Sequence, residues 1–289
     1  MTSSGPPAEV SAPAVCVVVP TRNRAGYLEV ALRSLQDQED PGPHELVVIN
    51  DGSTDATGEV ARRAGVRCLR LDPPRGLNGA RNAGVAASTA PLVVFVDDDV
   101  EAPPGWLRAL VEGAANHPGA EAFGGPIRAR LEGPAPRSCG RESPPITTLD
   151  LGDEDREADM VWGANFAVRR SAFERHGIFD EEVAGHGDEE DWLIGLHSAG
   201  GQIVYLAAAG LDHRRAGDDA RLRSLTRVAF QRGRNARRTA LRRGAAPSAG
   251  RELRDVAGAA WHTVRRRCPQ GVIMGAHSAG RLTQSLLGR

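Results

Sequence analysis

The sequence predicts an α/β protein: a doubly wound, mostly parallel central sheet flanked by helices, with an Arg-rich helical extension at its C-terminal end. Three observations carry this. Short β-branched runs alternate with segments whose apolar residues recur at helical spacing. Several of these runs are apolar throughout, as expected for strands buried on both faces of a parallel sheet. Beyond residue 213 the composition turns strongly basic.

The elements follow in order. Val15 to Pro20 is a continuous apolar strand closed by proline, and Tyr27 to Gln38 carries Leu28, Ala31, Leu32 and Leu35 on one helical face. Leu46 to Ile49 is a second strand that runs into the turn Asn50-Asp51-Gly52. Thr57 to Ala64 is a short helix with Ser53, Thr54 or Asp55 available to cap it. Val66 to Leu71 is a third strand, Leu77 to Ala87 a Gly/Ala-rich helix, Leu92 to Val96 a fourth strand, and Trp106 to Ala115 a helix. The second half is less regular. Residues 133–159 read as a long loop, Trp162 to Val168 as a strand, and Ser171 to His176 as a short helix. A helix over Glu189 to Ala199 and a strand over Gln202 to Leu206 follow, with two Arg-rich helices at Leu222 to Arg243 and Arg251 to Arg267.

The formal net charge of -1 hides an asymmetry: residues 1–213 hold 18 Arg and 33 acids, residues 214–289 hold 18 Arg and 4 acids. The two parts therefore suit different partners. Cys16, Cys68, Cys139 and Cys268 are scattered with no CxxC pair, which argues against a zinc ribbon or a disulfide framework and suits a reducing compartment. No apolar run approaches the roughly 20 residues that span a bilayer. Residues 1–13 lack the basic and apolar segments of a signal peptide and read as a disordered tail. These features place the chain in the cytoplasm, with the inner face of the membrane as a peripheral alternative.

Ligands of doubly wound sheets sit at the carboxyl ends of the strands. That rule puts Thr21-Arg22-Asn23, Asp51-Gly52-Ser53 and Asp97-Asp98-Asp99 on one rim. Three consecutive carboxylates after a buried strand are costly unless a positive group sits among them, and a hard divalent cation is the natural one. The competing reading is a solvated strand end. Neither GxGxxG nor GxxxxGK[ST] is present, so a dinucleotide site and a P-loop are unsupported. Pro20-Thr21-Arg22-Asn23-Arg24 offers hydroxyl, amide and guanidinium donors instead, and arginine's planar fork suits a phosphate. Gly79-Ala80-Arg81-Asn82-Ala83-Gly84 sets Arg81 and Asn82 among small residues that let a bulky ligand approach.

The order of these pieces resembles the family 2 glycosyltransferases of the GT-A fold. The resemblance runs from Val17-Val18-Val19-Pro20-Thr21-Arg22-Asn23 through the Asp51, Arg81-Asn82 and Asp97-Asp98-Asp99 segments to Trp162-Gly163-Ala164-Asn165-Phe166. It continues at Gly187-Asp188-Glu189-Glu190-Asp191-Trp192 and ends at Asp212-His213-Arg214, covering roughly residues 14–215. It implies inverting transfer of a sugar from a nucleotide-diphosphate donor, UDP-sugars first, to a hydroxyl acceptor. The acceptor is left open among a natural product, a polysaccharide and a lipid-linked molecule. By this likeness Asp51 contacts the nucleobase, and Pro20, Thr21, Arg22, Asn23, Arg81, Asn82 and Asp98 line the nucleotide site. Asp97 and Asp99 match the DXD motif for Mn2+ or Mg2+, with Asp99 as direct ligand and Asp97 on ribose or metal. Asp98 points away by strand alternation. His213 is a late metal or diphosphate ligand, Arg214 and Arg215 reach the diphosphate, and Trp162, Gly163, Asn165 and Trp192 face the acceptor.

The resemblance divides the chain into the tail 1–13, a glycosyltransferase domain 14–215 and the basic extension 216–289. Within the domain, residues 14–115 form the nucleotide-binding half and residues 116–215 the acceptor-binding half. One-step inversion needs a base, usually a carboxylate. Two registers compete for the family's acidic pair. Glu190-Asp191-Trp192 matches it literally and makes Asp191 the base; Gly187-Asp188-Glu189 matches it with the acids exchanged and makes Glu189 the base, with Asp188 beside it. The literal match is preferred by a small margin. A nucleotidyltransferase of related fold and a catalytically silent nucleotide-sugar-binding protein are the alternatives. For the basic extension, packing on the catalytic domain competes with contact to anionic lipid, and nucleic acid has charge but no motif in its favour.

Overall fold

A computed structural model describes residues 13–133, 136–142, 145–182, 188–242 and 244–287, with the side chain of Asp188 outside this set. Residues 1–12, on which the reading of a disordered tail falls, and Gly187 also lie outside it.

The first half alternates strands and helices: β1 (Val15–Thr21), α1 (Ala25–Gln36), β2 (His44–Asn50), α2 (Thr57–Arg63), β3 (Arg67–Arg70), α3 (Gly76–Ala86), β4 (Leu92–Val96), β5 (Val100–Glu101) and α4 (Trp106–Asn116). The second half adds β6 (Ala122–Gly124), β7 (Ile127–Leu131), β8 (Arg156–Glu157), β9 (Asn165–Arg169), α5 (Arg170–His176), α6 (Asp188–Ser198), β10 (Ile203–Tyr205) and β11 (Leu211–Arg215). Three helices close the chain: α7 (Leu222–Arg242), α8 (Ala249–Arg266) and α9 (Gly271–Leu287).

The main sheet has the order β3-β2-β1-β4-β9-β6-β10-β8. β3, β2, β1 and β4 are mutually parallel, β9 runs antiparallel between β4 and β6, and β6 pairs parallel with β10. The expected mixed, mostly parallel α/β sheet is therefore present. Strand alternation distributes the core. Val15, Val17 and Val19 of β1 face one layer with Leu28, Leu32 and Leu35 of α1 and Trp106 and Leu110 of α4. Cys16 and Val18 face the other, with Ala80 of α3, Phe173 of α5 and Leu193 and Leu196 of α6. Both faces being covered, the central strands carry no polar side of their own.

The Gly/Ala-rich composition of α3 has a packing cause: a Cβ at Gly84 would overlap the side chain of Val18 on β1. Close helix–strand approach brings the N-terminal end of α3 to the rim where β1, β2 and β4 finish.

A second, three-stranded sheet, β5-β11-β7, lies against that rim and was not expected from the sequence. Its strands are short or rich in charge (Ile-Arg-Ala-Arg-Leu in β7, Leu-Asp-His-Arg-Arg in β11), so they carry no apolar run of the kind that marks a strand. The C-terminal extension holds three helices rather than two. The third, α9, carries a single arginine and lies outside the Arg-rich pattern that marks the other two. It meets α7 at small residues: Gly233 of α7 lies against the backbone of His277, and Gly280 of α9 against that of Phe230. A small core of Ile146, Leu225, Ala229 and Ile273 ties these helices to the loop before β8. No helix among the described residues is long and apolar enough to cross a membrane.

Candidate active site

The carboxyl ends of β1, β2 and β4 and the start of α3 surround a cavity of about 300 Å³ lined by Pro20, Thr21, Arg22, Arg24, Asp51, Leu77, Asp97, Asp98, Asp99, Arg215 and Arg232. Thr21 ends β1 beside Asn50 of β2. Its hydroxyl donates to Asp98 at 2.7 Å. The Asp51 carboxylate lies 5% exposed and accepts from the backbone N–H groups of Arg75 (2.6 Å) and Gly76 (3.0 Å), so it caps α3 as it faces the cavity. Gly52 is required beside it: φ is +67°, and a Cβ would come within 2.5 Å of Pro74.

Arg24 and Arg215 offset the charge of Asp98 and Asp99. Arg24 reaches Asp98 through Nε at 3.1 Å and Asp99 through Nη2 at 2.7 Å. Arg215 also pairs with Asp99. Burial, only partly offset by Arg24, still raises the Asp98 carboxyl to about 6. Asp98 was expected to point away; it faces the same cavity, with its oxygens committed to Thr21 and Arg24.

Asp97, Asp99 and His213 offer ligand atoms within 4.8 Å of one another. His213 sits on β11, and its Nδ1 lies 3.1 Å from the carbonyl of Thr147. A carbonyl only accepts, so Nδ1 carries the hydrogen and Nε2 presents a lone pair. That lone pair faces Asp99 Oδ1 at 3.2 Å, and among the described residues neither atom has a hydrogen-bond partner although both are buried. Burial lowers the imidazole's pKa and favours the neutral ring, despite the nearby Asp97. Two buried acceptors facing one another leave a place for a cation, and an imidazole with two carboxylates fits a divalent ion.

A second cavity, about 340 Å³, adjoins the first and shares Leu77, Asp97 and Arg232 with it. Its further lining includes Arg81, Thr147, Trp162, Gly163, Glu189, Glu190 and His277. Glu189, at the start of α6, is 7% exposed. Its Oε1 accepts from the Gly163 N–H at 2.9 Å and its Oε2 from Arg81 Nη1 at 3.1 Å. Burial pushes this carboxyl up, but Arg81 and the backbone donors outweigh it and hold the pKa below the ordinary value. Gly163 permits the contact, since a Cβ there would lie 2.8 Å from the Glu189 carboxyl.

Several expected site residues lie elsewhere. Asp191 does not line either cavity; its carboxylate lies 3.8 Å from Arg242 on α7, because one-residue steps along a helix turn successive side chains to different faces. Glu189, the base of the competing register, lines the second cavity. Asn23 accepts from the N–H of Thr54 at 2.7 Å and ties two rim loops together. Asn82 is spent on Phe179 and Glu181. Arg214 forms a two-pronged pair with Glu132 (2.9 and 2.8 Å), leaving its neighbour Arg215 to face the cavity. Asn165 is fully buried; it accepts from Trp106 Nε1 and donates to the carbonyls of Pro126 and Ala209. Trp192 belongs to the aromatic core with Phe173 and Phe179 and donates to the Gly177 carbonyl. Of the proposed acceptor contacts, Trp162 and Gly163 line the second cavity. Arg232, from the basic extension, was not anticipated; it lines both cavities and donates to the Thr147 hydroxyl at 3.0 Å.

A family model described as glycosyl transferase family 2 matches residues 16–177. Among curated proteins, the chain is 31% identical over 222 residues to a pre-mycofactocin glycosyltransferase of Mycobacterium tuberculosis, covering 72% of this chain and 45% of the relative. It is 29% identical over 228 residues to validoxylamine A glucosyltransferase of Streptomyces hygroscopicus subsp. limoneus, covering 68% and 50%. The chain thus spans about half the length of these relatives. Among solved structures, the mannosyltransferase PcManGT of Pyrobaculum calidifontis, in complex with GDP-Man and Mn2+, superposes with a TM-score of 0.58 at 19% identity, over 96% of this chain and 74% of that one. Residues 1–349 of S. aureus TarS in complex with UDP-GlcNAc give 0.53 at 19% identity, over 75% and 64%. At these identities the structural likeness establishes the shared GT-A fold.

Proposed function

This chain belongs to glycosyl transferase family 2, and from that premise we propose that it transfers a sugar, with inversion, from a nucleotide-diphosphate donor to a hydroxyl acceptor. The observation that carries this reading is the pair of adjoining cavities that meet at Asp97, one walled by rim donors and acids, the other by Glu189. The first takes the nucleotide diphosphate and the second the acceptor.

Asp97, Asp99 and His213 would hold Mn2+ or Mg2+, which would offset the charge left on the diphosphate as the glycosidic bond breaks. Arg24, Arg215 and Arg232 add fixed positive charge on the same side, where it acts on the departing anion in a partly buried setting. Glu189 takes the proton of the acceptor hydroxyl. Its ionised form is favoured by Arg81 and its position is fixed by the Gly163 N–H. Trp162 offers a flat apolar wall for the acceptor.

UDP is the favoured nucleotide. TarS supports it through its UDP-GlcNAc complex, whereas PcManGT carries GDP-Man. Thermal-shift titrations with UDP, GDP and dTDP, with and without Mn2+, discriminate between them. UDP is expected to stabilise most, and only with the metal present. A metal-independent response, or none, would remove this reading.

The extension bears on location. On α8, Trp261 is 69% and Val264 76% exposed beside Arg265 and Arg266. Apolar and cationic groups side by side suit an anionic lipid surface. Co-sedimentation with anionic vesicles at low and high salt is expected to show salt-sensitive binding that Trp261→Ala weakens; absence of binding at low salt rules out peripheral contact.

A further inference from the structure

Outside the two cavities, a loop and a helical turn bring together four side chains that the proposed reaction does not use. Cys139 and Glu142 come from the loop before Thr147; His262 and Cys268 come from the end of α8 and the residues just past it. One ligand atom from each lies within 4.8 Å of all the others. Cys139 Sγ is 3.5 Å from His262 Nε2 and 3.2 Å from Glu142 Oε2, and Cys268 Sγ is 3.7 Å from the same oxygen.

These separations have the size of a coordination polyhedron. With bonds of about 2.3 Å to sulfur and about 2.0 Å to nitrogen or oxygen, neighbouring donors around tetrahedral zinc are roughly 3.5 Å apart. Thiols are weak hydrogen-bond donors, so hydrogen bonding alone gives little reason for two of them to converge on one imidazole and one carboxylate. A disulfide between the cysteines would account for two members and leave the other two crowding it. Two sulfurs with an imidazole and a carboxylate select zinc over the hard cations suited to the aspartate site.

The surroundings hold the donors in place. Gly140 turns the loop at φ +75°, and Glu142 Oε2 also accepts from the N–H groups of Cys139 (3.2 Å) and Arg141 (3.1 Å). On the other side, α8 ends at Arg267 in the left-handed conformation, which sets Cys268 inward at 2% exposure. Gln270 then donates to the Pro136 carbonyl at 3.1 Å, a second tie between the same two segments.

We propose that Cys139, Glu142, His262 and Cys268 bind one zinc ion that fastens the loop before Thr147 to the α8–α9 turn. Four protein ligands close the coordination shell, so the ion is structural and takes no substrate. Binding releases the two thiol protons to solvent and involves no change of oxidation state. Because Thr147 contacts both His213 and Arg232, the clip bears on the wall shared by the two cavities.

The full chain, purified under reducing conditions, is expected to carry one zinc per molecule by elemental mass spectrometry. Exchange for Co2+ is expected to produce a near-ultraviolet thiolate-to-cobalt charge-transfer band, which the aspartate site cannot give because it contains no sulfur. Cys139→Ser is expected to abolish the band and the stoichiometric zinc, and Asp99→Asn to retain both. Cys139 is exposed, so its replacement leaves the core intact, and His262→Ala with far-ultraviolet circular dichroism separates lost binding from lost fold. A chain with free thiols that shows no zinc and no cobalt band, zinc that persists in Cys139→Ser, or a Cys139–Cys268 disulfide in the reduced preparation would each overturn the proposal.

Discussion

Glu189→Gln is expected to lower turnover by about 10²–10⁴-fold, the usual share of a positioned general base. Gln keeps an acceptor for the Gly163 N–H and nearly the same volume, so donor binding should survive. Nucleotide-induced thermal stabilisation is therefore expected to match that of the parent while the transfer rate collapses. The substitution also removes the buried Glu189 charge that faces Arg81, and losing one partner of a buried pair costs about 3–5 kcal/mol when nothing replaces it. The melting temperature must accordingly be measured beside the rate. Asp191→Asn is the control, with turnover expected near the parent's. If Asp191→Asn is dead and Glu189→Gln active, the assignment is reversed. The sign of the pH effect follows from the geometry. Arg81 holds the Glu189 carboxyl below its ordinary value, so the carboxylate persists through neutral pH. The charge, and with it both base and ion pair, is lost only as pH falls through the depressed value.

Asp99→Asn is expected to remove the Mn2+ dependence of nucleotide binding and to cost at least about 10²-fold in turnover. The second figure rests on a metal's contribution of several kcal/mol to the departing charge, at about 1.4 kcal/mol per tenfold. Asp99 uses Oδ2 for Arg24 and Arg215 and leaves Oδ1 toward His213, so its neutralisation strips one ligand atom and also takes a counter-charge from two guanidiniums, of which Arg24 keeps Asp98. These cations predict a specific signature: nucleotide alone should bind Asp99→Asn at least as well as the parent, and Mn2+ should add nothing. A variant whose response still depends on Mn2+ would place the metal elsewhere.

The strand ends were legible because burial on both faces forces an apolar run, and such a run must finish in polar residues at the rim. Thr21, Asp51 and Asp97 to Asp99 were found that way, and Trp162 and Gly163 by the resemblance alone. What the sequence hid were partnerships. Asn82, Asn165 and Arg214 have the chemistry of ligand-binding groups, yet each is consumed by a contact across 44 to 99 residues of chain. No local pattern records that expenditure. Arg232 was hidden for the opposite reason, being one among 36 arginines with nothing local to distinguish it. Glu189 lines the cavity and Asp191 lies toward Arg242, a matter of helix phase that a literal motif match ignores. The cysteines read as scattered because Cys139 and Cys268 are paired only through the fold.

The position of Arg232 changes where one activity can be separated from another. The family model ends at residue 177, and the expected domain boundary falls at 215, but Arg232, Ala236, Thr239 and His277 wall the second cavity from beyond both. On the proposed assignment the nucleotide is held at the strand ends of the sheet, whereas part of the acceptor's enclosure is supplied by an appendage that packs through small residues and a modest apolar core. Such an arrangement lets one half of the specificity be rewritten while the other is inherited. It also means that a fragment trimmed to the family domain would keep the donor's strand-end loops and open the acceptor's chamber to solvent.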